Sequence, residues 1–215
     1  MKKFAIFGAS GFGREVLPLV RKQLENESSA WELVFVDDNP PAAEQNGHRV
    51  LKYAEWLAEH ATSRHITLAI ANSVVRENLV KRCEADGVEF IDVQAENAVI
   101  MDDVHIGAGS ILNPFVCLTS NIRIGKQFHA NIYSYVAHDC VIGDYVTFAP
   151  SVKCNGNVLI EDHAYIGTGA ILKQGKPGEP LVIGRGAVIG MGAVVTKSVP
   201  PGVTVIGNPA KPMAK

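Results

Sequence analysis

Two periods divide this chain of 215 residues, and together they predict a small α/β domain with a parallel sheet followed by a solenoid of short strands. Strand-like and helix-like segments alternate over residues 1–93, the pattern of a parallel sheet covered by helices. From Ile100 onward an aliphatic or small residue returns at every sixth position, a period that fits neither a helix nor a plain alternating strand. A glycine-rich turn, "GASGFG" from Gly8 to Gly13, stands between the first strand and the first helix.

In chain order, "FAIFGA" reads as a strand, "GREVLPLVRKQLE" as a helix and "WELVFVDD" as a second strand. "LKYAEWLAEHA" reads as helical and "HITLAIA" as a strand. "SVVRENLVKRCEADG" reads as a helix closed by Gly87 just past its end, and "VEFIDV" ends the series. The first domain is placed at 1–93 and the second at 94–215. In the second, the count in sixes from Ile100 reaches Leu172 without a break: Leu112, Leu118, Ile124, Ala130, Val136, Ile142, Phe148, Cys154, Ile160 and Ile166 all fall on it. The position four later holds small or β-branched residues, among them Ser110, Val116, Ile122, Ser134, Cys140 and Val152. Both sets are expected to face one interior. The register skips across "KQGKPGEPLV" and resumes at Ile183, Ile189 and Val195.

Composition narrows the functions. A formal net charge of -2 with thinly spread charges leaves no basic face for nucleic acid. The apolar opening run is short and ends in a glycine turn, which reads as a buried strand and not a signal peptide. No window approaches the roughly 20 apolar residues that span a bilayer, so a cytoplasmic protein without membrane insertion is expected. The four cysteines, Cys83, Cys117, Cys140 and Cys154, lack close-paired metal spacing and read as buried thiols.

The six-residue repeat resembles the hexapeptide left-handed parallel β-helix, with three hexads to a coil, a family of mostly acyl-CoA-dependent acyltransferases that form trimers. Repeat alone does not make an enzyme. On such a coil His138 and Asp139, the second and third residues after Val136, occupy an outward corner, where the imidazole is no core histidine. One coil on lies Gly156, in "KCNGN", where a side chain would block a ligand and where a backbone N–H is left open. Base, orienting carboxylate and N–H donor are the three parts of an acyl-transfer site.

The parallel domain opening with "GASGFG", the helix carrying "HDC" and "KCNGN", and the ending "VIGNPAKPM" together are similar to the bacterial nucleotide-sugar and sialic-acid acetyltransferases. Within that family the likeness is to the enzymes that N-acetylate UDP-4-amino sugars in bacillosamine-type pathways, and it covers essentially the whole chain. The resemblance implies His138 as general base, with Asp139 where relatives often carry Glu and Thr147 where some carry a second histidine. It implies a Rossmann-like UDP-sugar pocket with Ser10, Gly11 and Phe12 near the phosphates, Asp37 and Asp38 near uracil and ribose, and Asn72 and Arg76 completing it. Phe12 stands where close relatives have histidine, and Ala71 replaces a glycine. Acetyl-CoA is implied as co-substrate, with Thr168, Gly190 and Met191 beside its pantetheine.

From the residues alone, the glycine turn is also compatible with simple helix-on-strand packing. A redox dinucleotide domain would prefer G-x-G-x-x-G and one acid after the second strand, whereas this chain has G-x-x-G-x-G and Asp37-Asp38. A catalytic metal is not expected: of His105, His129, His138 and His163, only His129 and His138 are candidates for neighbours across faces. A homotrimer is expected, with Phe115, Tyr133 and Tyr135 as exposed contacts. Two other functions stay open, sialic-acid O-acetylation by the same residues and a non-catalytic sugar-nucleotide-binding trimer.

Overall fold

The computed structural model describes residues 1–40 and 42–213 and divides into two compact units, Met1–Val93 and Gln94–Lys215. In the first, β1 (Lys2–Phe7), α1 (Gly11–Leu24), β2 (Trp31–Val36), β3 (Glu44–Gln45), β4 (His48–Leu51), α2 (Tyr53–Ala58), β5 (Arg64–Leu68), α3 (Ser73–Ala85) and β6 (Glu89–Phe90) follow in order. The sheet order is β3-β4-β2-β1-β5-β6. All pairings are parallel except the β3–β4 hairpin. Because the chain moves to one side of β1 first and to the other side with β5, the order reverses between β1 and β5, and the crevice outside the carboxyl ends of these strands is where such folds bind ligands.

One element is added to the expected series and one expectation is corrected. The segment before α2 is not plain loop: Asn46 and Gly47 adopt φ 49° and 77° and turn a short hairpin. "VEFIDV" is not one strand, since Glu89–Phe90 joins the first sheet while Val93–Gln94 begins a sheet of the second unit.

At the base of the first sheet four charges close on one another. Lys3 Nζ contacts Glu32 and, at 2.8 Å, Glu59; Arg49 Nη1 donates to Glu59 at 2.8 Å and Arg49 Nη2 to Glu32 at 2.6 Å. The Arg49 and then the Lys3 hydrogen bonds pull the Glu59 carboxyl down to about 2 from its ordinary 4.5. A depressed carboxylate pKa gives stability that is fully present above the unfolded value and is lost as pH falls through the folded one. The expected result is a melting temperature that declines between about pH 4.5 and pH 2, with a shallower decline in Glu59→Gln, read by circular dichroism across that range.

The second unit is a left-handed β-helix. Three sheets of eight, six and five strands run along it, parallel but for the antiparallel pairing of Lys211–Pro212 with Thr204–Ile206, and strands pair at a constant separation: Ile111 with His129, His129 with Thr147, Thr147 with Tyr165. Both inward sets are buried from Leu112 to Leu172, including Val116, Ile122, Phe128, Val136, Cys140, Phe148 and Cys154. Ile100 and Val99, at the open first coil, are exposed.

The corners carry their own period. Every sixth residue from Asp103 to Gly169 has positive φ, non-glycine residues at 52–64° among them: Asp103, Phe115, Asn121, Gln127, Tyr133, Asp139, Tyr145, Ser151, Asn157 and His163. A left-handed non-glycine residue costs about 1–2 kcal/mol. Burying an aliphatic side chain returns about 1.5–3 kcal/mol, and each hexad buries up to two, so the interior outweighs the corner. Aromatic corner residues recover more by stacking along the axis: Phe115 on Tyr133 at 4.8 Å and 2°, Tyr145 on His163 at 5.1 Å and 9°. The skip in register is a loop: Val158 pairs with Leu181, 23 positions on, and Lys176 and Glu179 bridge across its neck.

Candidate active site

The corner between the six- and five-stranded sheets holds His138 and Asp139. Asp139 sits at φ 58°, a conformation that Asp tolerates, and its N–H donates to Ser120 O at 3.2 Å. This turns its side chain back onto its neighbour, and His138 Nδ1 lies 2.7 Å from Asp139 Oδ2. Both side chains remain about half exposed, 49% and 47%. The hydrogen bond from His138 holds the Asp139 carboxyl below its ordinary value, with a smaller contribution from Asn121 Nδ2, which donates to Oδ1 at 3.4 Å. An ionised carboxylate only accepts, so Nδ1 carries the hydrogen and the lone pair of the neutral ring stays on Nε2.

The pairing of Tyr135 with Lys153 and Val136 with Cys154 continues to His138 opposite Gly156. A Cβ built on Gly156 would lie 2.6 Å from both Cε1 and Nε2 of the imidazole and 3.0 Å from Nδ1. Glycine is therefore required by the ring itself, which lies across the backbone, and not only by a ligand. The neighbouring amides are occupied, Asn155 N–H by Leu172 O and Asn157 N–H by His138 O. Beyond Gly156, whose carbonyl accepts from Gly175 N at 3.0 Å, a shallow depression of about 350 Å³ has Lys173, Lys176 and Lys197 on its rim. Sequence reading missed these lysines because two lie in the loop that breaks the register.

Thr168 and Met191 face each other on adjacent coils, by the pairing of Tyr165 with Val188 and Ile166 with Ile189, and Gly192 N–H donates to Thr168 O at 2.8 Å. Met191 is 82% exposed. Gly190 is held by packing, since a Cβ there would meet Ile206 Cγ2 at 2.7 Å. These three residues occupy the corner of Phe115 and Tyr133, not that of His138, so one chain does not bring them together. Phe115 and Tyr133 are 53% and 57% exposed. Tyr135 is a correction: it is half-buried and its hydroxyl donates to Asn155 Oδ1 at 2.9 Å. Thr147 and His129 are buried neighbours on one ladder, and among the described residues no group of three His, Cys, Asp or Glu side chains is placed to hold a metal.

In the first unit the glycine turn divides its tasks. Gly8 has φ 107°, and a Cβ on Gly13 would lie 1.8 Å from Gly8 O, which is helix-on-strand packing. Gly11 meets nothing closer than an Arg14 side-chain atom at 4.0 Å, so its lack of a side chain serves neither turn nor packing and leaves room at the start of α1. Ser10 is the N-cap of α1 without a side-chain cap bond, and the first turn holds no acid, so no carboxylate of the helix itself offsets its positive end. Asp37 braces this turn: Oδ2 accepts from Ala9 N at 3.1 Å and Oδ1 from Asn39 N at 2.9 Å. Asp38 Oδ1 accepts from Tyr53 N at 3.2 Å and Oδ2 from Arg82 Nη1 at 2.6 Å, and the Arg82 guanidinium lies 4.2 Å over the Tyr53 ring. Asn72 caps α3 by accepting from Val74 N and Val75 N. Arg76, which the resemblance has completing the pocket, is a buried cation, with Nη1 donating to Ile70 O at 2.6 Å and Ala71 O at 3.3 Å. Missed from the sequence are Val74 and Val75, exposed at the start of α3 beside that edge, and Arg82.

A β-helix with a His–Asp corner over a glycine, in a chain that also carries a parallel α/β domain, defines an acyltransferase of the hexapeptide-repeat class. Residues 3–83 match the PglD N-terminal domain. Over its full length the chain is 51% identical to GDP-perosamine N-acetyltransferase of Escherichia coli O157:H7, covering 98% of that protein. Among solved structures it is similar to WeeI from Acinetobacter baumannii AYE (61% identity, TM-score 0.96, 99% of this chain and 100% of that one). It is also similar to the acetyltransferase domain of PglB from Neisseria gonorrhoeae FA1090 in complex with acetyl coenzyme A (28% identity, TM-score 0.85, 98% of each chain). The chain belongs to the nucleotide-sugar 4-amino-sugar N-acetyltransferase family.

Proposed function

We propose that the protein transfers the acetyl group of acetyl-CoA to the amine of a nucleotide-linked 4-amino sugar during surface-glycan synthesis, with His138 as the base. The observation that carries this is the placing of His138: Nδ1 on a carboxylate at 2.7 Å and the Nε2 edge across Gly156. The sugar amine, as the free base, attacks the thioester carbonyl, and Nε2 takes the proton that nitrogen loses. The Gly156 N–H donates to the oxygen on which charge develops. The C–S bond then breaks, the leaving sulfur takes the proton from His138, and the products are the N-acetyl sugar and coenzyme A. Asp139 keeps the ring in the reactive tautomer and stabilises the imidazolium.

In this reading the start of α1, with Ser10, Gly11 and Phe12, holds the nucleotide phosphates. Asp37, Asp38 and Asn72 shape the nucleoside end of the same edge, and Arg76 acts from below by fixing the carbonyls of residues 70 and 71. Thr168, Gly190 and Met191 line the pantetheine. Because these last three and His138 occupy different corners, a complete site calls for a neighbouring copy, and a homotrimer with Phe115 and Tyr133 among its contacts supplies one. This reading places the enzyme in the cytoplasm.

The test is release of free thiol from acetyl-CoA with GDP-perosamine, UDP-linked 4-amino sugars and free sialic acid as acceptors, alongside the mass of the protein in solution by light scattering. Whole-length likeness to a GDP-perosamine enzyme puts the guanine nucleotide first, and the uridine nucleotides are the direct comparison. Thiol release with an amino sugar and a trimeric mass support the reading. Release with sialic acid alone would transfer the chemistry to a hydroxyl, and none with any acceptor would leave a binding protein.

A further inference from the structure

The left-handed residues at the catalytic corner are Asp103, Asn121, Asp139 and Asn157, one per coil at one register position. Asp and Asn tolerate this conformation alike, so backbone geometry does not explain their order. The alternation has an electrostatic consequence: adjacent coils are about 4.8 Å apart, and the order Asp, Asn, Asp, Asn keeps carboxylates from stacking directly. The carboxylate of Asp139 is thereby bounded on the preceding coil by an amide, and Asn121 Nδ2 donates to Oδ1 at 3.4 Å while Oδ2 holds His138 at 2.7 Å. Asn121 is itself fixed by its N–H on Asp102 O at 3.1 Å.

Resting on the reading of His138 as base, we propose that Asn121 is a positioning residue of the reaction: its amide orients the Asp139 carboxylate toward His138, and its neutrality limits the negative charge around the imidazole to one carboxylate. Other charged or titratable groups at this corner are accounted for. Asp103 is paired with Arg123 at 3.0 Å and with His105 at 3.0 Å. Asp102 lies on the same turn, and the buried thiols of Cys140 and Cys154 lie beneath, Cys140 Sγ being 3.3 Å from Asn155 O. Lys173, Lys176 and Glu179 belong to the loop beyond Gly156.

Two variants keep the left-handed backbone and separate the roles. Asn121→Gly removes the amide and retains the turn. The expected result is a kcat about 3- to 10-fold lower, the loss of one orienting hydrogen bond, with unchanged KM values and melting temperature. Asn121→Asp keeps size and turn and adds a carboxylate. An added negative charge favours the protonated imidazole, so the rise of kcat with pH moves up by roughly half a unit relative to wild type. His138→Gln in the same assay separates the two layers. If it is inactive while both Asn121 variants match wild type in kcat and pH profile, or change only in melting temperature, Asn121 is merely a corner residue and the proposal is overturned. If His138→Gln retains turnover, the base lies elsewhere and the proposal falls with it.

Discussion

His138→Ala lowers kcat by about 10²- to 10⁴-fold, the range for loss of a positioned general base, while the melting temperature and oligomeric mass stay at their wild-type values. The structural half of this expectation follows from exposure. The imidazole is half in solvent, and its Nδ1 bond is to Asp139 in the same turn, so its removal opens no cavity in the interior formed by Val136, Cys140 and Cys154. Asp139→Asn at the same corner keeps a side chain that tolerates φ 58° but no longer enforces one tautomer, and its kcat falls by less than that of His138→Ala. The double variant matches the histidine variant, because groups acting as one unit are not additive. Steady-state kinetics with saturating acetyl-CoA, together with thermal melts of all three, read these outcomes. A His138→Ala enzyme turning over near the wild-type rate would remove the histidine from the mechanism.

Gly156→Ala is expected to cost about 10²-fold or more in kcat, comparable to loss of an oxyanion donor, although alanine keeps the N–H. The new Cβ would stand 2.6 Å from Cε1 and Nε2, so the ring must tilt off the backbone, breaking either its bond to Asp139 or its approach to the substrate. Gly156 lies outside the positive-φ positions, which removes backbone strain as the explanation. Melting temperature should therefore change much less than turnover. The check is kcat and melting temperature measured on one preparation. Near-normal kcat would show that the ring adapts. A collapse of the melt would show that the coil, not the imidazole, needed the glycine.

The β-helix was legible because its spacing is the direct imprint of its geometry. Residues such as Val136 and Cys140 must both point inward once per hexad, a period that neither a helix nor a plain alternating strand asks for. His138 and Asp139 stood out for the opposite reason, being polar where the pattern asks nothing. The 18-residue coil set Gly156 beside His138, but the same step was not taken toward the preceding coil. Asn121 precedes Asp139 by one coil, and its sign was the run of Asp and Asn at 103, 121, 139 and 157, which a search for aliphatic positions passes over. Arg76 was placed in the pocket by resemblance alone, but burial decides what a guanidinium does, and here carbonyls hold it. The β3–β4 hairpin carried its Asn46-Gly47 turn in plain sight, and was missed because Glu44–Gln45 is too short to show alternation. Tyr135, read as exposed from its neighbours, is drawn down by Asn155.

The parallel ladder has a further consequence for how the enzyme wears out. Each coil is bonded only to the coils before and after it, so opening propagates from the two ends as in a zipper. The coil of His138 lies between the coil of Leu118 and that of Cys154 on one sheet, with further coils beyond each. Fraying at Val99 or at the Thr204–Ile206 strand must therefore consume its neighbours one by one before it reaches the corner of His138, whereas the coil of Gly190, which packs on Ile206, is the first to lose its neighbour when the far end opens, so the two corners are lost in a fixed order.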